Sequence, residues 1–120
     1  MGFTDDFTAC ITGKTLPPEL ASLIPEPKVA LAFALKLVRG ATVEEALLAI
    51  GVGAEVAADV AAAGAAFTVG FIIGAVLGCA KNAASASFET EVAQLDPSDQ
   101  SALEGPLADA GFTMGDTAAA

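Results

Sequence analysis

Apolar residues follow a helical pattern in two stretches of this chain, and polar or proline-rich segments surround both stretches. From residue 28 to residue 39 strong helix-forming residues continue to Gly40, with Lys36 and Arg39 in the last turn, where cations complement the helix dipole. The pattern predicts a helix here. Its apolar side chains nearly encircle it and it is too short to span a bilayer, so we expect it either to be buried in a bundle or to lie at a membrane surface.

A second helix start follows directly. Thr42-Val43-Glu44-Glu45 is a capping box, in which the Thr42 hydroxyl and the Glu45 carboxylate each accept a hydrogen bond from the other residue's backbone N–H. The motif predicts a short helix from Val43 to Ile50, and the glycines at 51 and 53 break it.

Small residues recur at every fourth position after this break, which predicts one continuous helix from Ala54 to about Ala84. The row consists of Ala54, Ala58, Ala62, Ala66, Gly70, Gly74 and Gly78. The 21 residues from Val60 to Ala80 contain no charge and one hydroxyl, that of Thr68. At about 1.5 Å per residue, a helix of this length matches a bilayer core of roughly 30 Å.

Glycines four residues apart form a glycine zipper, which lets a second helix approach backbone to backbone. We therefore predict a helix-packing interface on this helix, formed by Ala62, Ala66, Gly70, Gly74 and Gly78. The same spacing also packs helices in soluble bundles, because alanine and glycine are only weakly lipophilic. The pattern thus leaves two interpretations open, a membrane-inserted helix and a buried helix of a soluble bundle or complex.

The flanking regions are predicted to be less regular. Prolines at 17, 18, 25 and 27 indicate an entry segment over residues 1–27, with at most one short helical turn from Pro18 to Leu23. Residues 28–86 are the predicted helical core. Residues 87–120 form an acidic C-terminal region with one short helix from residue 97 to residue 103, which Gly105-Pro106 ends. The expected fold is all-α, a small helical bundle or hairpin with one long Gly/Ala-rich central helix.

Composition strengthens the all-α interpretation and narrows the function. Apolar residues make up 54% of the 120 residues but aromatic residues only 6%, which favours helix over strand. The chain has no His, Trp or Tyr, so most common acid, base and nucleophile arrangements are excluded. We therefore expect no enzyme, no catalytic residues, no metal site and no cofactor. With a net charge of −10 and five basic residues, we also expect no nucleic-acid partner.

The two cysteines, Cys10 and Cys79, have no metal-ligand spacing. A disulfide between them needs an oxidising compartment, whereas Cys79 alone is typical of a small buried apolar residue, and the sequence leaves both open. The first residues are acidic and no apolar stretch occurs before residue 20. This predicts synthesis in the cytoplasm without a signal peptide, followed by membrane association or export by a signal-independent route.

In motif and layout, the segment from Ala54 to Ala80 resembles the small glycine-zipper, membrane-permeabilising toxins and effectors of bacteria. The resemblance implies a protein that inserts in a lipid membrane as a pore-forming homo-oligomer. A chain held soluble before insertion needs its glycine face covered, either by Lys28 to Ile50 folded over it as a hairpin or by a chaperone or carrier protein. The chain departs from this pattern because it lacks a basic face for anionic lipid. The alternative is a soluble structural or interaction protein whose Gly/Ala helix packs in an oligomer or against a carrier.

Overall fold

Eight α-helices account for the ordered architecture in residues 2–111, which are the residues that the computed structural model describes, and this part of the chain contains no strand. The expected all-α class is confirmed. The helices are α1 (Phe3–Gly13), α2 (Pro18–Ser22), α3 (Pro27–Val38), α4 (Val43–Ala49), α5 (Ala54–Ala63), α6 (Val69–Ala83), α7 (Ser85–Ala93) and α8 (Pro97–Asp109). The end of the predicted acidic region, from residue 112, lies outside the described residues.

Helix α6 is the centre of the fold, and α1, α3, α7 and α8 pack around it. Its buried side chains are Ile72, Ile73, Ala75, Val76, Leu77, Cys79 and Ala80. Helix α3 contributes Leu31, Phe33 and Leu37 to the same core. Of the two locations expected for α3, buried in a helical bundle or lying at a membrane surface, the structure shows the buried one.

The predicted entry segment is wrong over its first half, because residues 3–13 form helix α1. The prolines that argued against helix begin only at Pro17, so they do not affect α1. Phe7 and Ile11 lie four residues apart on one face of α1, and both are completely buried. Helix α2, by contrast, is the short turn that was predicted near Pro18.

The predicted continuous helix from residue 54 to about residue 84 is also wrong, since the chain breaks between α5 and α6. Gly64 is the C-cap of α5, and Thr68 is the N-cap of α6, where its hydroxyl accepts a hydrogen bond from the Phe71 N–H at 3.1 Å. This cap satisfies a backbone donor that a new helix start leaves free. Helix α5 then packs against α4, while α6 enters the core. The described residues contain no single long central helix.

The C-terminal half holds more helix than predicted. Helix α7 was missed, and it buries Phe88 and Val92, which lie four residues apart. Helix α8 continues to Asp109 instead of ending at Gly105-Pro106. Leu103 and Leu107 are both fully buried in this helix, so their burial offsets the backbone hydrogen bond that a proline inside a helix removes.

Polar contacts at the surface join α8 to its neighbours. The Arg39 guanidinium, at the end of α3, donates to Asp99 Oδ1 at 2.7 Å. The side-chain amide of Gln100 donates to the Val92 carbonyl at 3.0 Å, and so satisfies an acceptor near the C-terminal end of α7. The capping box predicted at the start of α4 is confirmed, with both of its hydrogen bonds present between Thr42 and Glu45.

None of the described helices by itself has both the length and the apolar character needed to cross a membrane. Helices α6 and α7 taken together meet the same requirements of length and composition, but they are bent by 118° at the break between them.

Candidate interaction surface on helix α6

A disulfide between Cys10 and Cys79 fixes α6 against α1. The two Cα atoms are 5.5 Å apart, and the sulfur atoms are bonded at 2.04 Å. Cys79 is completely buried, whereas Cys10 is half-buried. The bond settles the question that the sequence left open, and it holds one side of α6 towards α1.

The glycines of α6 form a face that the rest of the described chain leaves largely uncovered. Gly70 is exposed, and Gly74 and Gly78 are half-buried. A Cβ atom added at Gly70 or Gly74 would meet no atom of the described residues within 4 Å, apart from its chain neighbours and the backbone of its own helix. One added at Gly78 would lie 3.9 Å from the Cβ of Ala110, an ordinary van der Waals contact. The face is therefore open along most of its length, and the end of α8 touches it at Gly78.

This face is the floor of a shallow groove, which we call the glycine groove. Its volume is about 330 Å³, at the lower end of the range for small-molecule sites, and the groove is open to solvent instead of enclosed. Such a shape suits a packed side chain or backbone better than a sequestered small ligand. The groove is lined by Lys14, Gly70, Phe71, Gly74, Ala75, Gly78, Asn82, Asp109 and Ala110.

Exposed apolar side chains surround the N-terminal end of the groove. Phe71, which lines the groove, is 43% exposed, and Val69, which precedes the first groove glycine, is 42% exposed. Leu48 and Val56, elsewhere on the surface, are exposed to a similar degree. The ring of Phe71 stacks on that of Phe67, with 5.5 Å between the ring centroids. The stacking holds the Phe71 ring beside the open glycines and provides a rigid apolar anchor.

The predicted helix-packing residues divide into two groups in the structure. Gly70, Gly74 and Gly78 share one face of α6 and line the groove. Ala62 lies on α5 and Ala66 lies in the connection between α5 and α6, and both are exposed. The break at Thr68 separates these two alanines from the glycine row, so the three glycines are the part of the prediction that the fold brings together.

Other chemistry is sparse in the part of the chain that the structure describes. No three His, Cys, Asp or Glu side chains there are close enough to hold a metal ion, and no polar or charged residue is buried. Both cysteines are used in the disulfide.

Comparisons with family models, curated proteins and solved structures found no match to this chain.

The groove residues contributed by helices other than α6 could not be predicted from the sequence. Lys14 comes from the end of α1, and Asp109 and Ala110 come from the end of α8. No local motif marks these residues, because only the packing of α1 and α8 on α6 brings them beside the glycines.

Proposed function

We propose that this protein is a helical interaction protein that self-associates through the glycine groove of α6. The observation that carries the proposal is the open glycine face, where none of the described residues occupies the space above Gly70 and Gly74. A second copy presents the same face, so two copies form a self-complementary interface of the kind found in symmetric dimers. The glycines allow the two α6 backbones to approach closely.

The energetic cost of the glycines supports this proposal. A glycine inside a helix is about 1 kcal/mol less favourable than an alanine, because it loses more backbone entropy on folding. Gly70 and Gly74 gain no compensating close contact within the described chain. Close packing with a second helix is the arrangement that recovers this cost.

The exposed apolar side chains beside the groove provide area for association. Phe71 and Val69 lie next to Gly70, and aromatic residues at the centre of an interface contribute a large share of binding energy. In the proposed dimer these side chains pack on the partner copy around the glycine contact. Mutual burial removes an apolar patch that the single chain leaves in water.

The first experiment measures the molar mass of the protein, purified without detergent, by light scattering or sedimentation from about 1 µM to about 1 mM. We expect a concentration-dependent dimer or a defined larger oligomer. Gly74→Leu fills the groove and should weaken association at least about 100-fold. Ala58→Leu is the control, since Ala58 is an exposed residue of helix α5 and lies outside the groove.

Both substitutions place leucine, a strong helix former, at a helical position that is not buried, so neither should lower the stability of the monomer by more than about 0.5 kcal/mol. Loss of the oligomer in Gly74→Leu alone supports the groove as the interface. A wild-type protein that stays monomeric over the whole series overturns self-association. An oligomer that Gly74→Leu leaves intact overturns the assignment to the glycine groove.

Membrane insertion with pore formation is the second candidate, because α6 and α7 together have the length and composition of a span, although bent by 118°. In this candidate the chain acts as a small toxin or effector, and a carrier covers α6 beforehand. Insertion requires the seven buried side chains of α6 to leave the core. Flotation with neutral and anionic vesicles, together with dye release, tests it. Leakage that Gly74→Leu abolishes supports a pore, and protein left below the vesicles contradicts it.

A further inference from the structure

We propose that the Cys10–Cys79 disulfide is a redox-controlled latch that holds α1 on α6. The bond crosses between the first helix and the central helix, two elements that lie far apart along the chain. Helix α1 otherwise docks through Phe7 and Ile11, its two fully buried side chains. The latch itself does not depend on the proposed self-association.

Helix α1 depends strongly on its docking. It has 11 residues, and an isolated helix of this length is marginal in water. Within the described chain α1 packs mainly against α6 and α2, so its release breaks these two contacts. Once the disulfide is cut, opening of α1 therefore leaves the packing of α3, α7 and α8 on the other sides of α6 in place.

The two cysteine residues differ in exposure, which defines the one that a reductant attacks first. Cys79 is completely buried and Cys10 is half-buried, so a thiolate from a dithiol reductant attacks Cys10 Sγ. The S–S bond breaks, Cys79 leaves as a thiolate and takes up a proton, and a mixed disulfide forms at Cys10. The second thiol of the reductant then displaces Cys10, so two electrons pass to the protein and the reductant becomes a disulfide.

Redox compartments supply the two states. A disulfide persists in an oxidising environment, whereas the dithiol reductants of a cytosol break accessible ones. The oxidised chain is thus the closed form and the reduced chain the open form. In the open form α6 uncovers the side that α1 occupied, which enlarges the surface beside the glycine groove. This last consequence alone rests on the proposed self-association.

Amide hydrogen exchange followed by mass spectrometry tests the latch directly. The samples are the oxidised protein, the same protein in a phosphine reductant, and Cys10→Ala/Cys79→Ala. In both samples that lack the bond, we expect the exchange rate of residues 5–13 to rise about 100-fold more than the rates of α3 and α8, which rise only through the lower global stability. Thr42→Ala is the control for general destabilisation, because it removes the α4 cap, far from the latch in sequence, and keeps the disulfide.

Unchanged protection of α1 after complete reduction overturns the latch. Equal loss of protection in all helices also overturns it, because the bond then stabilises the whole fold and not the docking of one helix. If the double variant does not fold, the wild-type protein reduced during the exchange pulse gives the same comparison. Restored protection of α1 after reoxidation is expected for a reversible latch.

Discussion

Removal of the Cys10–Cys79 disulfide should lower the free energy of unfolding of this protein strongly. The bond joins residues separated by 69 positions, so it closes a large loop in the unfolded chain. In the chain-entropy description, a loop of this length corresponds to about 4 kcal/mol of stabilisation, because the cross-linked unfolded state has fewer conformations. Disulfides typically contribute about 2–4 kcal/mol, so the expected loss lies at the upper end of this range.

A loss of this size is a large fraction of the total stability of a small domain, which is about 5–15 kcal/mol. Cys10→Ala/Cys79→Ala also removes a completely buried sulfur at Cys79, which adds a small cavity cost. We therefore expect the free energy of unfolding to fall by about 3–5 kcal/mol. The variant should remain folded but have a much lower denaturation midpoint.

Urea unfolding followed by far-UV circular dichroism measures this change. The chain has no Trp and no Tyr, so intrinsic fluorescence is a poor probe. With a slope of about 1–3 kcal/mol per molar urea, the midpoint should fall by about 1 M or more. The wild-type protein in a phosphine reductant is the matched control, since it keeps both sulfur atoms and loses only the bond.

The comparison of the two samples separates the entropy of the loop from the loss of the sulfur. Reduced wild type and the double variant should lie within about 1 kcal/mol of each other. A loss below about 1 kcal/mol in both samples would refute the reasoning, because the unfolded chain would then gain little freedom from losing the cross-link.

Three further predictions concern single sites and use the same unfolding assay. Thr15 follows the C-cap of α1 with a φ of 64°, where glycine is favoured, so Thr15→Gly should add about 1 kcal/mol, and a loss would contradict the assumed strain. Thr42→Ala removes half of the capping box and should cost about 1 kcal/mol, and no cost would mean that the cap adds nothing to stability. Arg39→Ala breaks the exposed ion pair with Asp99 and should cost less than about 1 kcal/mol, with a smaller cost in about 1 M NaCl; a salt-independent loss would point to packing of the Arg39 stem.

Features that depend on neighbours within four residues could be predicted from the sequence. The capping box at Thr42 and the start of α4 at Val43 are examples, since both groups of the motif lie in one helical turn. The all-α class follows in the same way from an alanine- and leucine-rich composition. The row from Gly70 to Gly78 also shares one face because its spacing matches the helical period.

The helix break at Thr68 shows where such local reasoning ends. The row of small residues continues through Ala62 and Ala66 without interruption, so the pattern favours one helix. In the folded chain Thr68 caps a new helix, and α5 and α6 pack on different neighbours. Burial of two separate helices outweighs the hydrogen bonds that one continuous helix would add at the break.

The disulfide and the glycine groove depended entirely on tertiary structure. The sequence by itself determined that Cys10 and Cys79 exist and that glycines recur on α6. Only the packed core brought the two cysteines to a Cα distance of 5.5 Å and placed Lys14 and Asp109 beside the glycines. The physical reason is that local hydrogen bonding selects helices, whereas contacts between distant segments form only when shared apolar burial offsets the chain entropy of bringing them together.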